Sequence, residues 1–170
     1  MRSEAMRLGI FASICGLVLT SYAADTPVQV QLDTSKASPR AVESLTERGI
    51  LRDYRFAWTS MAQALEFSTL DPLEGPFAGE AKRVLRDTVV SQQHSGLSRQ
   101  YVNQNHRVEA VFYAPEGDVM ELHDTAEYEL RISDGGKIIH DERVVMRFVV
   151  LMTPGADRWV IRQLQAVPQS

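Results

Sequence analysis

Between Ser95 and Arg107 the spacing of apolar residues in this chain changes from three or four to two, and no single regular element can serve both periods. Upstream, Ile50, Tyr54, Ala57, Trp58, Met61 and Leu65 fall on one face of an amphipathic helix, and Ala81, Val84, Leu85, Thr88 and Val89 mark a second helix that closes around Gly96. Two prolines and a glycine in Leu70-Asp71-Pro72-Leu73-Glu74-Gly75-Pro76-Phe77 separate them. Downstream, the segments 107–114, 119–133, 137–152 and 159–167 read as strands. Turn compositions divide them: Pro115-Glu116-Gly117-Asp118, Ser133-Asp134-Gly135-Gly136 and Pro154-Gly155-Ala156-Asp157. Helices followed by an antiparallel meander predict an α+β fold in one domain, with N-terminal helices packed in a curved, mainly antiparallel sheet.

The N-terminus reads as an export signal. Arg2 and Arg7 form a basic start, an apolar run extends from Leu8 to Thr20, and Ser21-Tyr22-Ala23 places small residues for cleavage after Ala23. The alternative is a membrane anchor over residues 8–24, although the run is shorter than the ~20 residues that span a bilayer comfortably. Residues 1–23 are therefore expected to be a signal peptide, 24–37 an extended arm or short edge strand, and 38–170 the folded domain. Ser38-Pro39 carries a helix-start signal and Gly49 a stop, which predicts a separate short helix between them.

Of the chain's 18 Lys and Arg and 22 Asp and Glu, the signal holds Arg2, Arg7 and Glu4, so the mature chain carries 16 against 21, a net charge of −5. That balance argues against sequence-independent nucleic-acid binding. The lone Cys15 falls in the signal, which excludes disulfides and multi-cysteine metal sites from the mature chain. The expected location is the periplasm or the cell exterior, and no metal or cofactor is expected.

The hairpin at Gly135-Gly136 can be read in register. The even positions Met120, Leu122, Ala126, Tyr128, Leu130 and Ile132 are apolar, with Asp124 the exception, and so are Val144, Met146, Phe148, Val150 and Met152 in the partner strand. A two-residue turn would set these groups on opposite faces, because a slip of one residue flips every side chain. A three-residue loop, Asp134-Gly135-Gly136, aligns them. It pairs Glu127 with Arg143 and His123 with Arg147 outside, and Asp124 with Met146 and Tyr128 with Glu142 inside.

No phosphate loop, nucleophile elbow or His-Glu-x-x-His is present. What remains is polar residues on an apolar face. Asp124 needs partners if buried; with His106, His140 and Glu142 it could form an acid/base set, in a ligand cavity lined by Trp58, Met61, Phe112, Asp124, Tyr128, Glu142 and Met146. His106, His123 and His140 are evenly spaced, but His123 faces away from His140 in this register. On the outer face, Val145, Val149 and Leu151 flank Arg147, as an interface between protein chains would require.

Helices, then a strand, then two long strands closed by a glycine-rich hairpin, then a short strand opening in Ala156-Asp157-Arg158-Trp159-Val160-Ile161, together resemble the nuclear transport factor 2-like (SnoaL-like, cone-shaped α+β) superfamily over residues 39–167. The resemblance implies a curved sheet around helices, an apolar cavity and dimerisation through the convex face. It also implies two kinds of function. Members include SnoaL-like cyclases and ketosteroid isomerase-like enzymes, for which Asp124 and Tyr128, with His106 assisting, are loose catalytic counterparts. Other members are binding or assembly domains, including periplasmic subunits of type IV secretion systems. The expectation is an exported, non-catalytic domain binding a protein partner in the cell envelope or a small apolar ligand, as a homodimer. The alternatives are a small cavity enzyme using Asp124 and a membrane-tethered component of a secretion complex.

Overall fold

The structure is a computed structural model describing residues 27–168, and in it the two periods of the sequence become two layers. The elements run β1 (Gln29–Asp33), β2 (Ser38–Pro39), α1 (Ser44–Phe67), a 3-10 turn (Asp71–Leu73), α2 (Gly79–Ser95), β3 (Leu97–Tyr113), β4 (Met120–Asp134), β5 (Lys137–Pro154) and β6 (Trp159–Val167). One six-stranded sheet has the order β1-β3-β4-β5-β6, with β2 also against β3. β1 and β2 run parallel to β3, and the later strands are antiparallel. The expected α+β class with helices against a curved, mainly antiparallel sheet is therefore present. Residues 1–23, expected to be a signal, and the start of the expected arm lie outside the described residues, and no described helix is long and apolar enough to cross a membrane.

The apolar stripe of α1 buries Ile50, Tyr54, Ala57, Trp58, Met61, Ala64 and Leu65 against the inner face of the sheet, where Val108, Ala110, Leu122, Val150 and Ile161 meet it. α2 adds Ala81, Leu85 and Val89 and packs beside β6. The helix expected to begin at Ser38-Pro39 does not form. Those two residues pair with Phe112 and Tyr113 instead. Nor does Gly49 stop a helix: α1 runs through it, and a Cβ there would lie 3.7 Å from Trp159 Cδ1. That is ordinary van der Waals distance, so the indole leaves room for a Cβ and does not itself require the glycine.

The β4–β5 hairpin corrects the three-residue loop. Gly135 (φ 53°) and Gly136 (φ 83°) form a two-residue turn with both residues in the left-handed region. The register then shifts between Ile132 and Ser133, where Ile139 is an extra residue in β5. This bulge realigns the two apolar sets that the tight turn would have set on opposite faces. The faces are as expected, but each pair slides by two: Asp124 lies opposite Phe148 rather than Met146, Tyr128 opposite Val144, and Glu127 opposite Val145. Arg143 still bonds Glu127 diagonally on the outer face.

Two more bulges explain why β3 begins ten residues earlier than its alternation suggests. One spans Val102 to Asn105, with Asn103 at φ 54°, and the other lies between Ala110 and Phe112. Each inverts the inside–outside pattern, so Tyr101 faces the core before the first bulge and His106, Val108 and Ala110 after it. Bulges also bend a strand, in keeping with the curvature that lets the sheet close around α1.

Candidate functional site

Asp124 interrupts the apolar face of β4, and the fold supplies its partners from two directions. α1 brings Tyr54, whose hydroxyl donates to Asp124 Oδ2 at 2.8 Å. β3 brings His106, whose Nδ1 lies 2.7 Å from the same oxygen and is assigned as the donor, since a carboxylate can only accept. The His106 ring lies tilted against Trp58 with centroids 4.3 Å apart, and Trp58 in turn meets Phe148 edge-on at 5.3 Å. Burial, and after it the negative charge of Asp124, raises the Tyr54 hydroxyl well above its ordinary range. Both donors converge on Oδ2, leaving Asp124 Oδ1, His106 Nε2 and Trp58 Nε1 buried without hydrogen-bond partners.

The side chains of His106 and Asp124 are fully covered. No substrate atom reaches either in this arrangement. Of the expected cavity set, Trp58 and Met61 are buried in the core as read. Tyr128 is also buried, but beside Tyr101 (ring centroids 5.0 Å) rather than on the carboxylate. Met146 sits opposite Ala126, half-buried. Phe112 is turned outward by the bulge before it and is 39% exposed, opposite Glu121. Glu142 is exposed too, 3.2 Å from His140. The tyrosine that completes the cluster is Tyr54, which helical spacing marks only as core. Among the described residues no group of three potential metal ligands forms.

Burial raises Tyr128 to about 12. The unfolded chain ionises the residue near 10 while the folded chain keeps the proton, so this contribution to stability is complete below pH 10 and is lost between pH 10 and 12. Denaturant titrations across that window should show stability falling with pH, and less steeply in Tyr128→Phe. An equal slope in the variant would show that Tyr128 is not held neutral by the fold.

The outer face is built differently. Val145 is 48% exposed, Arg147 is exposed, and Val149 and Leu151 are half-buried on the same side of β5. A groove of about 660 Å³ crosses this face, lined by Arg107, Glu109, His123, Thr125, Arg147, Val149 and Val167. Asp124 borders it with its backbone alone, since its side chain points inward.

No family model and no curated protein matches the chain. Among solved structures it is similar to the crystal structure of the intermembrane space region of the chloroplast protein ARC6, with a TM-score of 0.61 and 13% identity over 77% of this chain and 100% of that one. At that identity the likeness is one of fold.

Proposed function

We propose that this protein is an exported, non-catalytic binding and assembly domain that works through the outer face of its sheet, and that a second copy of the chain is the first partner this face takes. The observation that carries this reading is the contrast between the two faces. The inner cluster around Asp124 is covered by its own side chains, whereas the outer face leaves apolar Val145, Val149 and Leu151 among Arg143, Arg147 and Glu127. Apolar centres with charged rims are how protein interfaces are composed. Export rests on the basic, apolar and small-residue order of residues 1–23. The ARC6 structure, from an intermembrane space, is loosely in keeping with a non-cytosolic setting. Membership of the nuclear transport factor 2-like superfamily is part of the same proposal, supported by the helix-then-meander order and the curved sheet.

Sedimentation equilibrium of the purified protein tests it. The wild type should self-associate as concentration rises, and Val149→Asp should shift it toward monomer with an unchanged circular-dichroism spectrum. A wild type that stays monomeric at high concentration, with Val149→Asp indistinguishable from it, would sink the dimer. Mass spectrometry of the native N-terminus tests export: a chain starting at Ala24 is expected, and an intact Met1 recovered with membranes would indicate a tether instead.

A further inference from the structure

The register places three polar residues in one row across the outer face: Arg107 pairs with Thr125, and Thr125 with Arg147. With strands about 4.8 Å apart, the two arginine Cα atoms stand about 10 Å apart with a hydroxyl between them. Neither guanidinium makes an ion pair among the described residues. The acid that shares the groove, Glu109, is held by Lys36 Nζ at 3.0 Å, and His123 by Glu121 at 2.9 Å. Val149 and Val167 add apolar surface at the same groove. Unpaired arginines are common on exposed surfaces. Two that bracket a threonine, in a groove with valine walls and in a chain of net negative charge, are a more specific arrangement.

We infer that this row is a clamp for a small monocarboxylate on a short apolar stem. Each guanidinium donates to one carboxylate oxygen from its own side, Thr125 donates its hydroxyl between them, and the stem lies along Val149 and Val167. Arginine suits the role because its planar fork matches a carboxylate and stays charged. A monoanion fits better than a phosphate dianion because Glu109 stands in the same groove. The volume, about 660 Å³, lies within the range of small-molecule sites. This site goes beyond the self-association proposed above and does not depend on it.

Octanoate is the probe, added to isotopically labelled protein kept dilute enough to be monomeric, with amide shifts followed by NMR. Saturable shifts are expected at residues 107, 125, 147 and 149. Arg107→Gln and Arg147→Gln should each weaken octanoate binding about tenfold or more, and Thr125→Val by a few fold, with folded spectra throughout. Octanol, which lacks the charge, and inorganic phosphate, which lacks the stem, should bind far more weakly. The clamp is overturned if octanoate produces no saturable shifts, if the arginine variants bind it as the wild type does, or if octanol matches it. A capped Leu-Glu-Leu peptide binding more tightly than octanoate would also overturn it, making the row a docking point for a protein side chain. A wild type that stays monomeric at high concentration and still binds octanoate would sink the dimer and leave the clamp standing.

Discussion

Asp124→Leu should destabilise the protein by about 3–5 kcal/mol, because it removes the acceptor from two buried donors at once. Tyr54 and His106 both point at Asp124 Oδ2, and among the described residues no other acceptor serves either group. The remedy is equally specific. In Tyr54→Phe/His106→Leu/Asp124→Leu both donors leave together with their shared acceptor, so only Trp58 Nε1, already without a partner, remains polar in the cluster, and most of the lost stability should return. Replacing every member of a buried polar set costs far less than stranding some of them. Urea denaturation with a common slope measures both variants. A loss below about 1 kcal/mol for Asp124→Leu would mean that the three groups are not bonded to one another in solution.

Trp58→Ala should cost a similar amount, about 3–5 kcal/mol, through loss of apolar burial together with the cavity left behind. The side chain is 1% exposed and lies at the centre of the ring contacts, 4.3 Å from His106, 5.3 Å from Phe148 and 6.4 Å from Tyr54. Its replacement therefore also loosens the ring that His106 leans on. Trp58→Phe should recover more than half of the loss, and Tyr54 should then titrate at lower pH in Trp58→Ala than in the wild type as water enters the cluster. Thermal and urea unfolding supply the first measurement, and the tyrosinate absorbance the second. Full stability in Trp58→Ala would show that the core under α1 is not packed as described.

These effects rest on features of unequal legibility. The α1 face was readable from Ile50 to Leu65 because six apolar residues hold helical spacing without interruption, and burial follows from that spacing alone. Asp124 is readable as an anomaly because it is the single carboxylate on the apolar face of β4 from Met120 to Ile132. Its partners were not readable. Tyr54 carries no mark that separates it from Trp58, its neighbour on the same face, and it meets Asp124 only because α1 crosses the sheet at that height. Phe112 shows the opposite failure. Strict alternation assigns it to the core, yet one extra residue in β3 turns it outward, and nothing in Ala110-Val111-Phe112 announces the insertion.

The hairpin shows where local chemistry and global packing divide the work. Gly135-Gly136 marks a tight turn, and the apolar sets of β4 and β5 demand one shared face, but these two requirements conflict in any regular ladder. The protein satisfies both with a bulge at Ile139, and the choice moves Phe148 rather than Met146 beside Asp124. The Arg107-Thr125-Arg147 row depends on the same choice, since a shift of two residues would set another residue of β5 across from Thr125.

By itself the sequence determined the class and the layers of this protein. Period and turn composition are local properties, and they specify the two long helices, a meander of long strands, and which faces of β4 and β5 are buried. Only the tertiary structure decided which polar groups meet. Registers, bulges and the height at which α1 crosses the sheet are set by the packing of the whole core, so the closed Tyr54–Asp124–His106 cluster and the open row of Arg107, Thr125 and Arg147 exist only once the strands are side by side.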